Sequence, residues 1–177
     1  LKRLIIAPGY MQRDFIEGNR NRHQKPFSMF FICATFSALA RYWLLSSLMN
    51  YYQVTNTTEL FFFRHYMVFL YIGLIPVYAL LVLLFFYQSG YNYAEMGVLL
   101  LYTLSLVFLT SPFIFLSKII WPHLDTVYIE FPLYFIITFS NFFNRIPRWR
   151  VLLISLLIML IAFIINEIAE NLVIRIM

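Results

Sequence analysis

Residues 151–161 read VLLISLLIMLI, and this stretch decides the fold. Apart from Ser155 every position is apolar, so the run has neither the alternation of a membrane strand nor the one-sided period of a surface helix. A helix that is apolar all round belongs inside lipid or a large core. Reading outward, the segment continues from about Trp149 to about Asn171 without a proline or glycine. A membrane-crossing helix needs roughly 20 apolar residues, and this segment supplies them.

The same pattern recurs upstream. Spans are expected over about 26–49, 64–87, 93–115 and 127–143, in addition to 149–171. Between them lie a polar stretch over 50–63, a tight turn at Gln88 to Tyr91, a loop over 117–126 and a basic turn at 144–150. Pro26 opens the first span, where a missing amide costs little. Pro76 falls mid-span, where a kink is expected, and Ser111-Pro112 and Pro132 interrupt two others. Composition agrees. The chain is 62% hydrophobic and 12% charged, where a soluble domain carries about 25% charge. The expected fold is an all-α polytopic membrane bundle of about five transmembrane helices. Its transmembrane domain covers 26–177, and residues 1–25 form a basic, cytoplasmic or interfacial segment.

Within that segment Pro8-Gly9 signals a turn and Tyr10 to Glu17 a short helix, with Met11 and Phe15 one turn apart. Such a helix beside a span is expected to lie in the interface with its apolar face down. Five spans place the N-terminal segment, the 88–92 turn and the 144–150 turn on one side. Together they carry nine Lys and Arg, against three (Arg64, Lys118, Arg175) on the other. The positive-inside rule then puts the N-terminus in the cytoplasm and the C-terminus outside. The net charge of +5 is explained by topology and does not call for nucleic acid.

Polar residues inside or beside the spans are the candidate functional positions, because an ionisable group in lipid costs at least about 2.5 kcal/mol. Arg41, in the second half of the first span, reads either as a counter-charge to Glu95, Glu130 or Glu167 or as a side chain snorkelling to the outer interface. Asn92-Tyr93-Ala94-Glu95 has the form of a capping box, the alternative being a proton or cation site at a mouth. Glu130, two residues before Pro132, is interfacial or buried depending on where its helix starts. Asn166, Glu167, Glu170 and Asn171 read as a solvated helix end or a paired-carboxylate site. Arg13, Arg20, Arg22 and Lys25 are placed to meet anionic headgroups or a protein partner. Cys33 excludes an internal disulfide and reads as a small packed residue. The Cys33/Ser37 and Ala34/Ala38 pairs, each four apart, suit close helix packing. His23, His65 and His123 are scattered, and no catalytic or cofactor motif is present.

The N-terminal stretch has a further layout: Pro8-Gly9, three residues, Arg13-Asp14-Phe15-Ile16, one residue, Gly18, one residue, Arg20, then Pro26-Phe27. It resembles the bacterial membrane family called domain of unknown function 3667, whose pattern is PGxxxR, acidic, aromatic, aliphatic, GxR, then PF. Asn92 to Glu95 is similar to that family's NYAE. Ala7 stands where the family has arginine, and Met96 where a histidine often follows NYAE. The resemblance implies a bacterial inner-membrane protein. Members carry a cysteine-rich segment upstream, so a further N-terminal part before Leu1 is expected. No cofactor is expected. The expected partners are the bilayer, anionic headgroups and other membrane subunits, and the leading expectation is a non-catalytic scaffold, accessory subunit or assembly factor. A small transporter or ion-conducting protein is the alternative, and a lipid-modifying enzyme the second.

Overall fold

The computed structural model describes residues 2–20, 23–52, 65–116 and 127–176. Every regular element among them is helical: α1 (Lys2–Ile6), α2 (Tyr10–Ile16), α3 (Pro26–Tyr52), α4 (Met67–Phe85), α5 (Tyr93–Phe115), α6 (Val127–Phe142) and α7 (Arg148–Ile176), with a 3-10 turn at Tyr87–Ser89. Four of these, α3, α4, α5 and α7, are long and apolar enough to cross a membrane. Helix α6 is shorter. Its 16 residues reach about 24 Å, short of the about 30 Å hydrocarbon core. Helix α3 runs past the expected end to Tyr52, and α7 past Asn171 to Ile176. The expected 117–126 loop lies outside the described residues, as does residue 64. Helices α4, α5 and α6 each continue through their internal proline, at 76, 112 and 132.

Helix α5 is the centre, most of its residues being buried on one side or another. Its main partner is α3. The small residues Cys33, Ala34, Ser37 and Ala38 all face inward, and Ser37 meets Ser111 of α5 at 2.9 Å. Small side chains let the backbones approach, and the paired hydroxyls satisfy each other where no water reaches. The register follows from three contacts: Phe30 against Phe108, Ser37 against Ser111 and Arg41 over Phe115. The two helices therefore run in the same direction, but α3 begins late. The Tyr102 hydroxyl, nine residues into α5, donates to the carbonyl of Gln24, just before α3 starts.

The late start explains the main departure from expectation. The first turns of α5 lack α3 as a neighbour, and α2 fills the space. Phe15 packs edge-on against Tyr102 at 5.4 Å. Leu4 and Met11 join the core formed by α3 and α5, and Ile16 joins the second core, shared by α4, α6 and α7. The face of α2 expected to lie on lipid is buried against protein instead. An apolar face next to an uncovered stretch of α5 loses more exposed area by filling that gap than by resting on headgroups. The second core is strongly aromatic: Phe86, Phe135, Phe139 and Phe143 stack or tilt against one another with centroids 3.9–5.8 Å apart.

Candidate functional site

The polar chemistry of the described residues concentrates where the N-terminal segment enters the bundle. Gly9 sits at φ +87 and is pressed against the last turns of α6. A Cβ there would collide with the Thr138 carbonyl and lie 2.6 Å from Asn141 Cβ. Only glycine combines that φ with so close an approach. Around it the backbone is held by side chains. Asn141 Nδ2 donates to the Pro8 carbonyl at 2.9 Å, the Gly9 N–H donates to Gln12 Oε1 at 2.6 Å, and the Tyr134 hydroxyl donates to the Leu4 carbonyl at 3.3 Å. Tyr134, Thr138 and Asn141 fall at i, i+4 and i+7, so α6 presents a polar stripe to this segment. Gln12 and Thr138 are fully buried, and both side chains lie against the Tyr134 phenol.

The chain leaving α2 is fixed by Asp14. Its carboxylate accepts from Asn19 Nδ2 at 2.5 Å and lies 2.9 Å from His23 Nε2. Gly18, at φ +133, makes the turn between them. At the end of α2, Glu17 Oε1 accepts from the Tyr91 hydroxyl at 3.4 Å. The Tyr91 ring lies 4.7 Å from that of Phe142. The N-terminal segment, the 87–91 turn and the 143–147 turn thus gather at one end of the bundle. Burial, and then the Glu17 carboxylate, push the Tyr91 phenol above its ordinary range, while Arg13 and Arg145 pull the other way.

The expected site residues do not form one site. Glu95 is a cap: its Oε2 accepts from the Asn92 N–H at 2.8 Å, and its own N–H donates to Asn92 Oδ1 at 3.0 Å. Arg41 lies over the Phe115 ring, 5.9 Å from its centroid. It is therefore about 30 Å of helix away from Glu95 and does not pair with it. Glu167 is exposed near the end of α7, with its carbonyl accepting from Asn171 Nδ2 at 2.8 Å. Asn166 departs from the solvated-end reading, because its Oδ1 accepts from Tyr78 of α4 at 2.6 Å. The Glu130 side chain, Arg22 and His123 lie outside the described residues. Arg20 and Lys25 are exposed, whereas Arg13 is half-buried over the Tyr10 ring at 5.4 Å, with Nη1 buried and unpartnered among the described residues. The α6 stripe and Tyr78 were legible only as hydroxyl- or amide-bearing residues at helical spacing in apolar runs.

The cavity between α4, α5, α6 and α7 is lined by Tyr78, Leu100, Thr103, Phe135 and Ile158 among others, and has room for about one water, about 20 Å³. Among the described residues no group of three or more His, Cys, Asp or Glu is placed to hold a metal ion.

These features define an all-helical bundle, four of whose helices are long and apolar enough to cross a membrane, with its own N-terminal segment docked against it. The family Protein of unknown function (DUF3667) matches residues 1–38, in agreement with the motif resemblance. No curated protein and no solved structure gives a significant match. The residues that carry the resemblance are largely docking residues: Pro8 and Gly9 against α6, Asp14 in the turn, Phe15 against Tyr102 and Ile16 in the core.

Proposed function

We propose that the chain is a non-catalytic subunit, scaffold or assembly factor of a larger complex in the bacterial inner membrane. Helices α3, α4, α5, α7 and the shorter α6 all cross the membrane in this reading, with the N-terminus cytoplasmic and the C-terminus outside. The observation that carries it is how the buried polar groups are used. Tyr134, Thr138 and Asn141, which in a transporter would line a path, are covered by the chain's own Pro8-Gly9 turn. Glu95 is engaged in a cap, and the inter-helix cavity admits about one water. Large apolar side chains such as Trp43, Phe69, Leu84 and Phe113 remain exposed for lipid or for neighbouring subunits.

Extraction from native membranes in nanodiscs, followed by native mass spectrometry, tests this. A defined heteromer is the expected outcome. A lone chain that turns over or transports a small solute would sink the proposal. The transporter reading keeps one favourable observation, the polar cluster of Gln12, Tyr134 and Thr138 beneath the docked segment. It predicts that Thr138→Ala and Asn141→Ala change flux in liposomes, which the scaffold reading does not.

A further inference from the structure

Helix α5 is ringed by the other elements. Around it, α3 touches α4, α4 touches α7, α7 touches α6, and the N-terminal segment lies between α6 and α3. The two flanks of this ring differ in apolar height. On one flank α4 runs for 19 residues without a charge, about 28 Å, and the candidate span in α7 is longer still. On the other flank α6 is apolar only over Phe131–Phe142, about 18 Å. Helix α3 is long, but its stretch between charges runs from Pro26, next to Lys25, to Arg41, about 23 Å. Tyr42 and Trp43 follow Arg41, as aromatic side chains at a bilayer boundary do.

The difference can be placed in height. The Tyr102 hydroxyl reaches the Gln24 carbonyl, and Thr103 lines one cavity with Tyr78 and Ile158, so Gln24, Tyr78 and Ile158 are level. Beside Tyr78 and Ile158 the outer surface is apolar, with Val77 and Leu157 45% and 46% exposed. It stays apolar for about 12 Å further along α7, past Leu153 and Leu152 to Trp149. On the other flank Glu17, Asn19, Arg20, Gln24 and Lys25 are exposed. One height of the bundle is thus apolar on one side and charged on the other.

We propose that the flank formed by α3, the N-terminal segment and α6 thins the bilayer beside it, with lipid headgroups drawn in to Arg20 and Lys25. Leaving exposed charges in hydrocarbon is costly, whereas a bilayer adapts to a short apolar height by thinning locally at modest cost. The guanidinium and ammonium groups then meet lipid phosphates. Both α3 and α6 fall short, and the polar segment lies between them, so the feature belongs to a face and not to one helix. The inference rests on the membrane-crossing reading above, but not on the subunit assignment.

Water access at three exposed positions tests it. With Cys33 replaced by Ser, single cysteines are placed at Gln24, at Leu157 and at Ser47, beyond Arg41. The full chain is reconstituted in vesicles of phosphatidylcholine and phosphatidylglycerol, with a water-soluble maleimide on both sides. All three side chains are exposed, so packing is kept. Gln24→Cys and Ser47→Cys are expected to label at least about tenfold faster than Leu157→Cys, since a thiol in hydrocarbon neither ionises nor meets the reagent. Slow labelling at both Gln24 and Leu157 would overturn the thinned flank and leave the membrane reading intact. Fast labelling at Gln24 with slow labelling at Ser47 would overturn it in favour of a bundle tilted as a rigid body. Fast labelling at Leu157 would remove the membrane reading itself, and the inference with it.

Discussion

Gly9 and Gly90 both have positive φ, +87 and +81, but only Gly9 is crowded. An added Cβ at Gly90 meets nothing within 4 Å, whereas at Gly9 it meets the backbone of α6. Gly90→Ala should therefore cost only the left-handed conformation, about 1 kcal/mol. Gly9→Ala should cost that plus displacement of the docked segment, about 3 kcal/mol or more. Melting of the two variants in the same detergent checks the order, and equal shifts would contradict the docking. Tyr91 offers a second test. Its raised pKa means that the folded state favours the neutral phenol. That contribution is present below the unfolded value near 10 and is lost as pH rises through the folded value. The difference in alkaline absorbance titration between wild type and Tyr91→Phe should thus lie above the ordinary tyrosine range. Neither residue's role was visible in the sequence alone. Pro8-Gly9 announced a turn, but not what the turn would touch. The Asn92/Glu95 pair was legible because both partners of a capping box lie within one turn, where spacing fixes geometry.

At the scale of elements, the helices were legible because a span is written in an uninterrupted apolar run, while their relative register was not, because apolar runs carry no register mark. The offset of α3 against α5 decides two outcomes. It leaves a gap that α2 fills, and it brings Arg41 level with Phe115, the last residue of α5. The cation then sits where α5 ends, and the following α3 residues to Tyr52 extend about 16 Å further. This favours the interfacial reading of Arg41 over the buried counter-charge. Arg41→Gln should accordingly destabilise by about 1 kcal/mol, the scale of a half-buried cation held over an aromatic ring. A loss of several kcal/mol in chemical or thermal melts would mark the charge as buried and paired. The α3/α5 contact itself rests on small residues, and Ala34 is fully buried. Ala34→Leu should be destabilising by about 1–3 kcal/mol through overpacking.

At the scale of the whole molecule, the proposed topology turns on α6. Its apolar part, Phe131–Phe142, is shorter than the other four candidates, and four crossings would leave both termini on one side. The five crossings proposed above match the direction in which α6 packs. The end of α6 meets the 87–91 turn through Tyr91 and Phe142, and Arg41 marks the opposite end of α5. Residues 143–147 therefore sit with the N-terminal end of α5, which requires α6 to return along the bundle. A short helix can still span where the bilayer thins locally or flanking residues reach the interface, and the docked Pro8-Gly9 turn protects part of its polar stripe. The charge count points the same way, since nine basic residues fall on the side of that end only if α6 crosses. The check uses the single native cysteine. With Cys33 replaced by Ser, cysteines placed at Tyr51, Tyr87 and Asn144 are labelled in intact cells and in inverted vesicles. Tyr87 and Asn144 should label together from the cytoplasmic face and Tyr51 from the opposite one. If Asn144 labels with Tyr51 instead, α6 does not cross, and the basic turn beside Arg145 lies away from the leaflet that anionic lipids would make attractive.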